Sequence, residues 1–73
     1  MGRDLALVRP LREAYMQAAE GDVMVRIHLF GIRYAADLEG VNLKELTYAA
    51  EVPESFVTEI RKGMRLADYV TLK

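Results

Sequence analysis

Seventy-three residues without a cysteine make one small domain that packing must hold, because neither disulfides nor thiolate metal sites are available to it. Hydrophobic residues are 52% and charged residues 29%, which is a globular rather than a disordered balance. The net charge of −1 lacks the basic surplus behind strong nonspecific nucleic-acid binding.

A chain this short buries only about 60% of its unfolded surface. Tight helix packing or a second subunit has to supply the remaining stability, and the apolar fraction makes a homodimer the expectation. No run approaches the ~18 apolar residues of a membrane span, so no membrane partner is expected. The N-terminus lacks the basic segment, apolar core and small-residue cleavage site of a signal peptide. Cytoplasmic residence is therefore expected. Charge is uneven along the chain: Arg61, Lys62, Arg65 and Lys73 stand against Asp68 alone after residue 60. That makes a local basic edge on a nearly neutral molecule.

Residues 2–8, GRDLALV, are apolar and short, and read as an extended arm or a strand. Pro10 disfavours helical geometry at Arg9 and suits the first position of a helix. The spacing predicts a helix from Pro10 to about Glu20, with Leu11, Ala14, Tyr15 and Ala18 inward, Gly21 ending it and Asp22 capping the next. Residues 23–39 carry two signals. Val23, Val25, Ile27 and Leu29 alternate as in a strand, while Val23, Ile27, Phe30, Tyr34 and Leu38 keep helical spacing for longer. Helix is preferred because the period continues through Ala35 and Ala36, which are poor strand formers. Gly31 weakens that helix by about 1 kcal/mol and permits close approach of another backbone.

Gly40 closes this helix and Asn42 caps the next. Residues 42–63, NLKELTYAAEVPESFVTEIRKG, then read as two short helices joined by a tight turn. Leu46, Ala49 and Ala50 give the first an inner stripe, Val52 sits at the turn, and Val57 and Ile60 line the second, with Gly63 as a left-handed stop. Small and branched residues at these places suit two helices crossing steeply at short range. The last ten residues, MRLADYVTLK, fit a fraying helix or a short strand paired with LALV near the N-terminus.

The stretch from Leu46 to Gly63 resembles the helix-turn-helix of the phage-repressor, or Xre-like, family. Leu46, Ala49, Ala50, Val52, Val57, Ile60 and Gly63 occupy that family's apolar and glycine positions without a gap. Ile32, Ala35, Gly40, Val41 and Asn42 match its first helix and the following loop, so the resemblance covers about residues 29–63. Three positions depart from it. Glu51 replaces the turn glycine, Leu43 replaces a glutamine that touches DNA, and the second helix begins PESF with Glu54 and Glu59, whose carboxylates repel phosphates.

The resemblance implies a sequence-specific DNA-binding protein whose residues 54–62 enter the major groove. It places Pro53, Glu54, Ser55, Phe56, Thr58 and Glu59 toward bases, and Arg61, Lys62, Arg65 and Lys44 toward phosphates. Ser55 and Thr58 can bond base edges and Phe56 can meet a thymine methyl. The blander alternative is a solvated helix face with Phe56 in the core. A different class of function, docking a protein partner on the same scaffold, draws on Leu43, Phe56 and the two glutamates.

His28 is the chain's one histidine and reads as a packed neighbour, because a lone imidazole without metal-ligand spacing builds no site. Arg12 with Glu13, and Arg61 with Glu59, read as surface charges of little weight. Met16, Met24 and Met64 read as core filler. Neither a phosphate loop nor a nucleophile elbow is present, so no enzyme, metal or cofactor is expected. The expectation is an all-α bundle of four or five helices forming a single domain over residues 1–73. Residues 1–22 would be arm and helix, 23–63 the helix-turn-helix core and 64–73 a tail, with both termini left open between helix and strand.

Overall fold

A computed structural model describes the backbone of residues 2–19 and 21–72 and the side chains of residues 5–19 and 21–72. The expected helix end at Glu20 and the basic side chain of Lys73 lie outside the described residues. Within them are five helices and no strand: α1 (Gly2–Met16), α2 (Val23–Arg33), α3 (Ala35–Leu38), α4 (Leu43–Ala50) and α5 (Phe56–Leu66). The all-α expectation is met.

The N-terminal expectation is not. Residues 2–8 are helical, and α1 runs through Pro10 instead of starting there. An interior proline forfeits one helical hydrogen bond and crowds the preceding turn, a cost of about 3 kcal/mol. The opposing force is burial in phase. Leu7 and Leu11 are buried on either side of Pro10, and Ala14 and Tyr15 extend the same stripe against the core. Helical continuity keeps all four on one face. α1 then stops at Met16, earlier than expected, and Met16 is exposed, as is Met24; of the three methionines read as filler only Met64 packs on the core. Gly21 does not terminate α1 but takes φ +90° in the loop before α2. Asp22 stands at the start of α2 without a side-chain capping bond.

Helix wins over strand at residues 23–39, though the helix is broken at Tyr34 (φ −107°, ψ 21°) into α2 and α3. The break lets Ile27, Phe30 and Leu38 all reach the interior, and the Phe30 and Tyr34 rings pack 5.2 Å apart. Gly40, at φ +78°, follows α3 as expected.

The core is made by Leu7, Leu11, Ile27, Phe30, Leu38, Leu43, Leu46, Ala50, Val52, Val57 and Ile60. It includes Leu46, Ala50, Val52, Val57 and Ile60 from the predicted hairpin. Ala49 is corrected to an exposed position, because the inward face of α4 is Leu43, Leu46, Thr47 and Ala50, spaced three, one and three. The buried Thr47 hydroxyl is satisfied by donating to the Lys44 carbonyl at 2.9 Å.

Gly63 is also corrected. It keeps helical geometry inside α5, which continues to Leu66. Beyond, residues 67–69 form a turn and 70–72 no regular element, so among the described residues no strand pairs the C-terminal segment YVTLK with LALV. Tyr69 and Val70 are exposed.

Candidate nucleic-acid interface

α4 is fixed by local chemistry at both of its ends. Asn42 Oδ1 accepts from the Glu45 N–H at 3.2 Å, which satisfies one of the orphan donors of the first turn of α4. At the other end Glu51 adopts the left-handed region (φ 61°, ψ 37°). The Val52 N–H reaches back to the Thr47 carbonyl at 2.9 Å, and Val52 is buried behind the turn. This is the glycine-type helix ending, built here with a side chain at its crowded position. Glu51 thus accepts the backbone strain of the position that the family gives to glycine.

From α1, Arg12 donates to the carbonyls of Ala50 (3.4 Å) and Ala49 (3.2 Å). A cation at the carbonyl end of α4 complements that helix's dipole and ties α1 to the turn. Arg12 is therefore paired with backbone, and the expected surface pairing with Glu13 is replaced by Arg9–Glu13 at 3.2 Å.

α5 begins through a turn in which the Phe56 and Val57 N–H groups reach the Pro53 and Glu54 carbonyls. Its buried side is Val57, Ile60 and Gly63, and Gly63 lies against Gly31 of α2. On the opposite side Thr58, Arg61, Lys62 and Arg65 are all exposed. Their spacing of three, one and three makes a single outward stripe. Arg61 and Arg65 have no side-chain partner among the described residues.

The sequence model of a family described as HTH-like domain matches residues 4–73. The chain belongs to that family. No curated protein and no solved structure matches the chain.

Within the HTH-like domain, the residues assigned to DNA, apart from the exposed Pro53 in the turn before α5, divide into three groups. Ser55, Thr58, Arg61, Lys62 and Arg65 are exposed and lie along α5 or at its start. Lys44 and Glu54 are exposed but sit 3.7 Å apart, so the start of α4 and the turn neutralise each other. Phe56 and Glu59 are drawn inward. Phe56 packs against the core with its ring edge-on to Tyr15 at 5.5 Å, as the blander reading expected.

Glu59 turns away from the outward stripe. Its Oε1 accepts from His28 Nε2 of α2 at 2.7 Å, and Oε2 lies 3.6 Å from Lys62 Nζ. The His28 hydrogen bond holds the Glu59 carboxyl below its ordinary value, and the nearby Lys62 charge works in the same direction. The expected Arg61–Glu59 pair does not form. His28 is a half-buried packed neighbour, as expected.

Two features escaped sequence reading. Leu43, taken as a docking side chain, is 4% exposed, whereas Tyr48 is 87% exposed on the outer face of α4. Once Leu43, Leu46, Thr47 and Ala50 define the inner face, Lys44 and Tyr48 must point outward. That wheel was a usable signal. The Arg12 contacts, 37 and 38 residues away in sequence, carried none.

Among the described residues no cluster of three or more His, Asp or Glu side chains is placed to hold a metal ion. Among them, too, no helix is long and apolar enough to cross a membrane.

Proposed function

We propose that this HTH-like domain is a sequence-specific double-stranded DNA-binding module of the Xre-like kind, acting as a small cytoplasmic transcriptional regulator and not as an enzyme. The observation that carries the reading is the outward stripe of α5. A rigid helix, anchored by Val57 and Ile60, presents a hydroxyl and three cations to solvent. Arg61 and Arg65 reach phosphates without first breaking an ion pair, and Ser55 and Thr58 are the groups available to base edges. The adverse carboxylates matter less than their number implies, because Glu59 is engaged by His28 and Glu54 by Lys44. α4 braces the backbone from Asn42 onward, with Lys44 at its start.

One observation favours a second reading, docking of a protein partner. The exposed Tyr48 is a large amphipathic ring of the sort that anchors interfaces. With Leu43 buried and Phe56 packed inward, that reading now rests on Tyr48.

A DNA titration at several salt concentrations separates the two. The DNA reading expects log Kobs to fall linearly with log salt, with a slope near −0.9 per phosphate contacted. Binding that is weak and flat with salt, on random as well as selected sequences, overturns it and leaves the docking reading.

A further inference from the structure

The outward side of α2 is apolar where a solvated helix is polar. Val25 is 54% exposed and Leu29 37% exposed. With the half-buried Ile32 they form a stripe spaced four and three, turned away from Ile27 and Phe30. The stripe does not end at the helix edge. Leu72 lines the groove of about 460 Å³ between α1 and α2 together with Leu29, and lines a neighbouring hollow with Ile32 and Val70. Glu13, Gln17, Arg26 and Arg33 border the groove, and an exposed apolar strip rimmed by polar groups marks an interaction site.

Charge selects its occupant. Asp22 stands at the N-terminal end of the face and Arg33 at the C-terminal end, and neither has a side-chain partner among the described residues; the exposed Arg26 lies between them on the same flank and adds one cation beyond that pair. The face is complementary to itself in one arrangement, α2 antiparallel to a second α2 across a two-fold axis level with Ile27 and His28, midway between Asp22 and Arg33. Asp22 of each copy then meets Arg33 of the other, while a parallel arrangement sets like charges together. A second copy brings the matching pattern by symmetry. Two crossing helices alone fall short of the roughly 800 Å² per partner of a standard interface. Residues 70–72 and the α1 wall at Pro10 and Ala14 supply the extension.

We propose that the chain forms a two-fold homodimer through the outward face of α2, with Val25, Leu29 and Ile32 at its centre and reciprocal Asp22–Arg33 pairs at its ends. The basic stripe of α5 takes no part in this contact. The inference stands apart from the DNA reading, and either can fail without the other.

Sedimentation equilibrium of the full 73-residue chain, from micromolar to millimolar concentration, tests it. A reversible dimer is expected. Leu29→Glu, whose side chain enters solvent in the monomer, should give a monomer of unchanged helicity. Asp22→Arg and Arg33→Asp should each raise the dimer dissociation constant about tenfold or more, and the two together should restore it. Because the chain has no cysteine, Leu29→Cys should cross-link to itself on mild oxidation, and Tyr48→Cys should not. The cross-link also serves if Leu29→Glu fails to fold. A chain monomeric at every concentration overturns the proposal and reassigns the face to a foreign partner. A dimer that resists Leu29→Glu, or a charge swap that does not restore association, overturns the antiparallel contact.

Discussion

Gly31 of α2 and Gly63 of α5 meet with no side chain between them. A Cβ added to Gly31 would lie 2.5 Å from the Ile60 carbonyl oxygen and 2.9 Å from the Gly63 Cα, and one added to Gly63 would collide with the His28 carbonyl oxygen. α5, which carries the outward basic stripe, is therefore held against the bundle backbone to backbone. Close packing of this kind is rigid, because main-chain atoms cannot rotate away from a clash as a side-chain end can.

Gly31→Ala and Gly63→Ala are expected to destabilise the fold. In an exposed helix the substitution would gain about 1 kcal/mol in propensity. Here overpacking opposes that gain, and such strain typically costs about 1–3 kcal/mol, with the unyielding backbone contact favouring the upper part of the range. Urea or thermal unfolding of each variant decides the sign. A melting temperature at or above that of the unsubstituted chain would show that α2 and α5 separate readily.

Glu51→Gly should act in the opposite direction. Glu51 holds φ 61° at the end of α4, a conformation that costs an L-residue roughly 1 kcal/mol and costs glycine almost nothing. The carboxylate has no partner among the described residues, so little is lost with it. An increase of about 1 kcal/mol is expected, or a rise of roughly 4–8 °C in melting temperature for a domain of this size. Glu51→Val, with a branched side chain at the same φ, should destabilise. If the glycine variant melts lower, the strain assigned to residue 51 is absent.

The contrast between these positions shows what was legible in the sequence. The hairpin core was readable because Leu46, Ala50, Val52, Val57 and Ile60 signal burial through short-range spacing, and Asn42 announces its cap three residues from its partner. Gly31 carried its own hint, as a glycine where helix is otherwise favoured. Gly63 misled, since a glycine after a helical pattern usually marks a stop and nothing nearby showed that it faces Gly31 across 32 positions. Pro10 misled for the same reason: its local cost is visible, whereas the burial of Leu7 and Leu11 that overrides it exists only in the folded bundle. The candidate site was legible in outline, with Arg61, Lys62, Arg65, Ser55 and Thr58 all exposed. Glu59 was not, because its partner His28 lies 31 residues away on another helix.

That pair predicts a pH dependence. The Glu59 carboxyl is held below its ordinary value of 4.5, so its contribution to stability is present above that pH and is lost as pH falls through the lowered value. Glu59→Gln should remove this contribution at neutral pH and flatten the acid limb of the stability curve. It should also free Lys62. The comparison is made by chemical denaturation from pH 3 to pH 7. Parallel curves for the two chains would mean that the His28–Glu59 bond does not stabilise the fold.

Arg61→Ala combined with Arg65→Ala tests the DNA reading at its strongest point. Both side chains are exposed and lack side-chain partners among the described residues, so their removal should leave the melting temperature nearly unchanged. As phosphate contacts they carry no sequence information, and affinity should fall for all DNA sequences alike. The salt slope should shrink by about 1.8, from a loss of 0.9 for each of two phosphates. Thr58→Ala, on the same stripe, should instead reduce discrimination between sequences while leaving that slope intact, because a hydroxyl releases no counterion. Equal affinity and an equal slope for the double variant would show that the outward stripe of α5 does not meet the DNA backbone, and the search for a partner would pass to Tyr48 and the outer face of α4.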